Sequence, residues 1–258
     1  EVCAYFIKHN KYPKGLKAQI YSALKNVENE MSQQFGSTKN PLLVSVRSGA
    51  KISMPGMMET VLNVGLNENN INGLISQTKN SHFVYDSYRR LIMMFADVVL
   101  EKSNQLDCNI RIQLEKIMQQ LKQARNITVD EQISTNDYEK LCFTFKKHIQ
   151  KTLNQEFPED SYSQLWKSID AVFKSWNGKR AKEYRKIEKI SSSLGTAVNI
   201  QAMVFGNMGK DSATGVAFTR NPSTGENLFF GEWLPNAQGE DVVAGIRTPF
   251  PIDNSRNK

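Results

Sequence analysis

The chain contains 258 residues, with 33 Lys and Arg against 26 Asp and Glu, so its formal net charge is +7. Hydrophobic residues make up 40% of the sequence, which is typical of a water-soluble globular protein with enough apolar side chains for the core of one or two domains. The longest nearly apolar run, residues 91–100, contains Asp97. It is about half as long as a membrane-spanning helix, so a transmembrane protein is excluded.

The start of the chain and its cysteines indicate where the protein resides. The first residue is Glu1 rather than Met and no signal segment follows, so we expect a piece excised from a longer polypeptide. The cysteines are odd in number, far apart and without CxxC spacing, which argues against a disulfide framework and a zinc site. We interpret them as buried structural thiols in a cytoplasmic protein. The residues are Cys3, Cys108 and Cys142.

The first zone, residues 1–72, is predicted to contain a helix, a strand and a Gly- and Met-rich loop. Apolar residues recur at helical spacing over residues 20–31, and Phe35-Gly36 is predicted to end this helix. Residues 41–46 are rich in β-branched side chains and predict a short buried strand. This strand is predicted to run into a loop over residues 47–50.

The second zone, residues 73–190, is almost free of glycine and is predicted to be helical. Periodic apolar residues mark one amphipathic helix near residues 114–121 and another over 165–176. The basic run at residues 174–189 raises the possibility of nucleic-acid binding. Glu183 and Glu188 interrupt this run and no aromatic platform accompanies it, so a solvated helix face is favoured.

The third zone, residues 191–258, is rich in glycine and predicts strands. Residues 198–204 alternate at period two, and residues 215–219 and 228–233 predict two further strands separated by turn signals. The three zones together predict an α/β or α+β core that is interrupted by a helical insertion.

The segment Arg47-Ser48-Gly49-Ala50 is a candidate phosphate site. A guanidinium beside the backbone N–H groups of a small-residue loop is suited to a polyphosphate. Neither GxxxxGK[ST] nor GxGxxG after a strand occurs, so a Walker A loop and a Rossmann dinucleotide site are disfavoured. On the local pattern alone, Arg47 can equally be a surface ion-pair partner.

Three other segments leave two interpretations open. The methionines of residues 54–58 can pack against a planar base or fill the core. Residues 85–90, YDSYRR, can present a second arginine towards Arg47 or form a solvated helix face. In the carboxylate and amide segment from residue 232 to 249, Glu232 can point inward and need a cation, or can face solvent.

Residues 40–66, NPLLVSVRSGAKISMPGMMETVLNVGL, resemble the nucleotide-binding domain of the pyruvate, phosphate dikinase family. So do residues 195–249, which include QAMVF, GEWLPNAQGEDVVAG and IRTP, and the shorter segments 85–90 and 171–185. The resemblance implies a two-lobed ATP-grasp fold. Its first part is expected at residues 1–72, its helical insertion at 73–190 and its second lobe at 191–258.

The resemblance also implies an activity for the complete enzyme. The family interconverts ATP, phosphate and pyruvate with AMP, pyrophosphate and phosphoenolpyruvate, and uses Mg²⁺. The phosphoryl group passes to a histidine on a swivelling domain, and pyruvate binds to a further domain. None of His9, His82 and His148 matches the phosphohistidine motif, so both domains are expected elsewhere in a parent chain that is expected to be a homodimer.

Residue roles follow from the same resemblance. Arg47 and Arg90 would bind phosphate, and Arg247 would be a transition-state phosphate clamp. Met58 would lie near the adenine. Glu232 would be the main Mg²⁺ carboxylate, and Gln238 would be a second metal or phosphate contact. Gln201, Met203 and Val204 belong to the QAMVF segment, which would form the hinge between the lobes and read the adenine edge through its backbone.

The family also has an earlier segment with a lysine that reaches the nucleotide phosphates, and no equivalent precedes Glu1. We therefore expect this chain alone to bind ATP weakly and to show no turnover. The alternative function is a non-catalytic nucleotide-binding or interaction module. Retention of Arg47, Arg90, Glu232 and Arg247 together favours the catalytic interpretation.

Overall fold

The computed structural model describes residues 1–243 and 247–252, and the chain divides into two units between Met203 and Val204. The strands of the first unit are β1 (Gln34–Phe35), β2 (Pro41–Leu42), β3 (Val44–Ala50), β4 (Thr60–Val64) and β5 (Thr196–Ala202). Its helices are α1 (Val2–His9), α2 (Leu16–Met31), α3 (Ile71–Thr78), α4 (Ser81–Phe95), α5 (Ile110–Ala124), α6 (Thr135–Leu153), α7 (Ser161–Ser175) and α8 (Lys179–Ile187). A π-helix (Ala96–Glu101) continues α4, and short 3₁₀ turns occupy Lys102–Asn104 and Asp130–Gln132.

The first unit is organised around a three-stranded antiparallel sheet in the order β4-β3-β5. Helix α7 packs against all three strands and α4 packs against β4. Val44 and Val46 of β3 and Val61 of β4 are completely buried, because β-branched side chains pack well on a pleated surface. Strand β3 is thus the central strand of the sheet, and its valines form part of the hydrophobic core.

The second unit contains a three-stranded antiparallel sheet in the order β6-β7-β8, with the short helix α9 beside β6 and β7. Its elements are β6 (Ala213–Phe218), β7 (Phe230–Pro235), α9 (Gly239–Val243) and β8 (Phe250–Pro251). The Thr214 hydroxyl donates a hydrogen bond of 2.6 Å to the Ala237 carbonyl. This bond ties β6 to the segment that precedes α9.

The amphipathic helices predicted near residues 114–121 and 165–176 are confirmed as α5 and α7. The strands predicted at 198–204 and 215–219 are confirmed as β5 and β6, but each begins two residues earlier, and they end at Ala202 and Phe218. The three-part division of the chain stays a prediction. Strand β5, which follows the helical zone, pairs along its full length with β3 and belongs to the first unit. The predicted strand at residues 228–233 begins two residues later, at Phe230.

Two predictions about the first zone are wrong. Helix α2 ends at Met31 and not at Phe35-Gly36. The next residue, Ser32, adopts a left-handed conformation with φ of 51°. Phe35 instead lies in β1, where its N–H donates to the buried Glu28 carboxylate. Residues 48–50 are not a loop, because they continue β3 and pair with residues 196–198 of β5.

Two of the three cysteines are buried, as the sequence analysis predicts, and the third is not. Cys3 and Cys142 are buried, Cys108 is half-buried, and all three are free thiols. Burial raises the pKa of the Cys3 and Cys142 thiols, which makes them unreactive at neutral pH. Within residues 1–243 and 247–252, no group of three or more His, Cys, Asp or Glu side chains could hold a metal ion. Nor is any helix in the described part of the chain long and apolar enough to cross a membrane.

The buried carboxylate of Glu101 caps the N-terminus of helix α5. Glu101, at the end of the π-helix, accepts hydrogen bonds from the backbone N–H groups of Asn109 at 2.5 Å and Ile110 at 2.8 Å. The first N–H groups of a helix have no partner within the helix, so this side chain satisfies the buried donor of Ile110 and the more exposed donor of Asn109.

Replacing Glu101 with alanine is expected to lower the free energy of unfolding by about 1–3 kcal/mol, since it leaves the buried N–H group of Ile110 without its acceptor. Urea unfolding followed by circular dichroism measures the change. Glu115→Ala is the control, because Glu115 is 45% exposed and only pairs with Arg111 on the surface of α5. Equal stability of the Glu101 and Glu115 variants would contradict this capping role.

Candidate functional site

Arg47 lies in the middle of β3 and not at the end of a strand. It is paired with Thr60 of β4 on one side and with Asn199 of β5 on the other. Residues directly opposite each other in an antiparallel pair share one face of the sheet, so these three polar side chains lie side by side. Asn199 occupies the space over Gly49, where a Cβ atom would come within 2.7 Å of its amide nitrogen.

The Arg47 side chain is exposed and makes no hydrogen bond or ion pair with any residue that the structure describes. The surface ion pair that the local pattern left open is therefore not found among the described residues. An exposed guanidinium without a counter-ion, on a face of polar side chains, is available to an anion from solution.

The second arginine segment lies on helix α4, and most of it is buried. Asp86 and Arg89 are 9% and 5% exposed, respectively, and Arg90 is half-buried. The solvated helix face considered for this segment is therefore wrong. Arg90 Nε donates to Asp86 Oδ2 at 2.9 Å, and Arg89 donates to Asp86 Oδ1. One carboxylate thus holds both arginines.

Burial by itself would raise the pKa of Asp86, but the charges and hydrogen bonds of Arg89 and Arg90 outweigh it and lower this pKa to about 2. Asp86 is therefore ionised at neutral pH. The sequence analysis missed Asp86 and Arg89. The signal was present in the spacing, since an acidic residue three and four positions before two arginines lies on the same side of a helix.

The methionine loop precedes β4. Met54 is 7% exposed and belongs to the core, whereas Met58 is half-buried and its sulfur lies 4.0 Å from the Ser175 hydroxyl at the end of α7. The core interpretation is correct for Met54. The role of Met58 beside an adenine stays a prediction.

The QAMVF segment contains the point at which the two units divide, between Met203 and Val204. Gln201 is exposed and paired with Ser45, and the Met203 N–H donates to the Leu43 carbonyl at 2.9 Å. The Val204 side chain is 88% exposed. This arrangement suits a hinge, although the Met203 N–H is already used by the first unit.

The candidate metal residues belong to the second unit. Glu232 lies in β7 opposite Val216 and Pro251, and its side chain is exposed and does not point into the core. Gln238 is 5% exposed, and neither its amide oxygen nor its amide nitrogen has a hydrogen-bond partner among the described residues. A buried amide without partners costs about 1–3 kcal/mol per polar group, and the role of Gln238 as a metal or phosphate contact stays a prediction.

Arg247 contacts the backbone just before Gln238. Its two terminal nitrogens donate to the carbonyls of Asn236 at 3.2 Å and Pro235 at 3.3 Å, at the end of β7. Gln238 is held at the start of α9, because its N–H donates to the Asp241 carboxylate at 2.9 Å. Arg247 thus binds the backbone that leads into α9, and its role as a phosphate clamp stays a prediction.

Comparison with known proteins identifies relatives over the whole chain. The family described as pyruvate phosphate dikinase, AMP/ATP-binding domain, matches residues 4–256. The chain is 48% identical over 252 residues to pyruvate, phosphate dikinase from Entamoeba histolytica, covering 96% of this chain and 28% of the relative. It is 46% identical over 259 residues to the protein of that name from Clostridium symbiosum, covering 100% and 29%.

A plant relative gives the same result. The chain is 46% identical over 258 residues to the chloroplastic pyruvate, phosphate dikinase of Mesembryanthemum crystallinum, which covers 100% of this chain and 26% of the relative. The chain therefore spans a little over a quarter of the length of the curated relatives that it matches.

Proposed function

The chain belongs to the pyruvate phosphate dikinase AMP/ATP-binding domain family, and on that premise we propose that it binds Mg·ATP and phosphate. The observation that carries this proposal is Arg47, an exposed guanidinium on the central strand with no counter-ion among the described residues. Phosphoryl transfer asks a protein mainly to position the phosphates and to neutralise their charge. Arg47 and Arg90 are suited to both tasks without a protein nucleophile.

The donors of the second unit fit a nucleotide-bound Mg²⁺. This ion takes oxygen ligands and is usually held by one or two carboxylates together with phosphate oxygens and waters. Glu232 offers an exposed carboxylate, and Gln238 offers an amide oxygen without a partner in the described part of the chain. When bound, the ion neutralises charge on the phosphates. We propose that Glu232 and Gln238 hold it and that Arg247 contacts a phosphate.

In the complete enzyme, we propose that a pyrophosphoryl group passes from ATP to a histidine on a separate domain, with release of AMP. Phosphate would then take one phosphoryl group to form pyrophosphate and leave a phosphohistidine, and pyruvate would take the remaining phosphoryl group on a further domain. The complete reaction would interconvert ATP, phosphate and pyruvate with AMP, pyrophosphate and phosphoenolpyruvate. Met58 and the backbone of residues 201–204 would bind the adenine. We propose that the parent protein is a cytoplasmic, homodimeric phosphotransferase.

Calorimetric titration of the chain with Mg·ATP tests the proposal, with Mg·GTP and a single-stranded oligonucleotide as controls. We expect saturable binding that is selective for ATP and weaker without Mg²⁺. Heat from the oligonucleotide with a steep salt dependence would instead support nucleic-acid binding. Absence of saturable Mg·ATP binding would contradict the proposal that this chain binds the nucleotide.

Replacing Glu232 with glutamine is expected to lower Mg·ATP affinity by about tenfold or more, since even residues that merely support a metal ligand are worth about 10–100-fold in metal affinity. Binding of metal-free ATP should hardly change. The control is Glu226→Gln, because Glu226 is an exposed carboxylate in the same unit that accepts only from the Thr224 hydroxyl. If both variants behave alike, Glu232 is not a metal ligand.

A further inference from the structure

The Asp86 carboxylate divides its two oxygens between two arginines that have different surroundings. Oδ1 accepts from Arg89, and Oδ2 accepts from Arg90 Nε at 2.9 Å. Arg89 and Arg90 follow Asp86 by three and four positions, so all three side chains lie on one side of α4. The two arginines therefore have different roles.

Arg89 is enclosed by the protein. Its side chain is 6% exposed, a second carboxylate oxygen from Asp130 lies 3.8 Å away, and its guanidinium lies 5.6 Å from the ring centre of Tyr138. Met93 on the next turn lies 3.6 Å from one of its terminal nitrogens. Arg89 is thus used by protein groups on several sides, and it fixes the Asp86 carboxylate in place.

Arg90 is more open, with a side chain that is 16% exposed against 6% for Arg89. A guanidinium is planar, so a hydrogen bond from its Nε to a fixed acceptor sets the orientation of the whole group. Arginines that bind phosphate do so through a defined geometry and not as point charges. The hydrogen bond to Asp86 therefore restricts the orientation of the Arg90 guanidinium.

We propose that Asp86 is a positioning residue for phosphate binding, which holds the Arg90 guanidinium in the orientation that meets the nucleotide phosphates while Arg89 anchors Asp86. The inference rests on the proposed function, because it assigns Arg90 to phosphate. A purely structural role would predict a loss of stability alone, since removing one partner of a buried ion pair is strongly destabilising. The low pKa of Asp86 is consistent with a carboxylate that stays ionised throughout the neutral range.

The experiment compares Asp86→Asn, Arg90→Ala and the double variant with two measurements. The first is the water exchange of the Arg90 Hε proton by NMR in the ligand-free chain, assigned by its loss in Arg90→Ala. We expect slow exchange in the original chain and fast exchange in Asp86→Asn. The second is Mg·ATP affinity. We expect Asp86→Asn to lower the Mg·ATP affinity about tenfold in the unsubstituted chain. In the Arg90→Ala background the same change should lower it less than about twofold, because two residues that act through each other have non-additive effects.

The control is Asp97→Asn. Asp97 is 7% exposed, lies on the π-helix that continues α4 and accepts from Lys102 at 2.7 Å, so its loss also removes a buried carboxylate. We expect it to lower stability without changing Arg90 Hε exchange or Mg·ATP affinity. If Asp86→Asn fails to fold, Asp86→Asn combined with Arg89→Met replaces it, since that pair leaves no buried arginine without its counter-ion.

The outcomes separate the two proposals. If the original chain does not bind Mg·ATP, the proposed function fails for this chain, and the Hε exchange alone decides whether Asp86 orients Arg90. Unchanged Hε exchange in Asp86→Asn overturns the inference. An equal loss of affinity from Asp86→Asn with and without Arg90 overturns it as well, because Asp86 then acts on the fold and not through Arg90.

Discussion

Replacing Arg47 with alanine in a full-length pyruvate, phosphate dikinase that carries this domain is expected to lower the rate of pyrophosphoryl transfer from ATP by about 10²–10³-fold. Preorganised donors that meet developing charge are worth about 3–4 kcal/mol each, and this range corresponds to that factor. Rapid-quench measurement of AMP formation in a single turnover reports the step directly. The fold should persist, because the Arg47 side chain is exposed and has no partner in the described chain.

The matched control is Arg111→Ala. Arg111 is also an exposed arginine, with a side chain that is 54% exposed, but it lies on α5 and pairs with Glu115 on the surface. Its loss removes the same charge from the protein and should leave the transfer rate within about twofold, since surface pairs contribute little. A near-normal rate for Arg47→Ala, or an equal loss for both variants, would refute the assignment of Arg47 to phosphate.

Replacing Gly65 with alanine is expected to lower the free energy of unfolding by about 2–5 kcal/mol. Gly65 follows β4 with φ of +106°, and an added Cβ atom would come within 2.7 Å of the Phe35 ring and 3.2 Å of the Leu42 carbonyl. Phe35 is 2% exposed and has no room to move away. Overpacking costs about 1–3 kcal/mol, and the left-handed backbone adds about 1–2 kcal/mol. Urea unfolding measures the loss.

Gly15→Ala separates these two contributions. Gly15 also has a positive φ, of +86°, but a Cβ atom there would meet nothing within 4 Å. Its replacement should cost only the backbone term of about 1–2 kcal/mol. A Gly65 variant no less stable than the Gly15 variant would show that the chain after β4 relaxes away from Phe35.

A hydrogen-bond network makes such relaxation costly. The Gly65 carbonyl accepts from the side chains of Asn67, Asn70 and Ser161 at 2.7–3.2 Å, and the Gly65 N–H donates to the Gln164 amide oxygen at 2.8 Å. The other end of that amide donates to the carbonyls of Leu66 and Pro158. Because these buried groups satisfy one another, moving Gly65 would leave several of them unpaired.

The helices were the part of the fold that the sequence predicted best. Their apolar residues recur at a period that is set by local geometry, and this is why α5 and α7 were found from their own residues. The end of α2 was predicted late, because Ser32 in a left-handed conformation gives a weaker local signal than glycine does. The π-helix after α4 has no sequence signal that local reasoning uses.

The strands were harder to delimit because their pairing is non-local. Ser48, Gly49 and Ala50 have low strand propensity and resemble a loop, yet β5 begins almost 150 residues later and pairs with them. The candidate site shows the same limit. Arg47 and Arg90 were identified by resemblance. The spacing of Asp86 placed it on the same side of the helix as Arg90, but the contact between the two is shown only by the side chains.

The position of Arg47 on β3 has a consequence for the entropy of phosphate binding. A glycine-rich loop that wraps an anion must become ordered, which costs about 1–2 kcal/mol of backbone conformational entropy per residue. The backbone of Arg47 is already fixed between β4 and β5. Only the rotamers of one side chain are lost on binding, about 2 kcal/mol at most. The phosphate contact at Arg47 can therefore form without any folding of the surrounding chain.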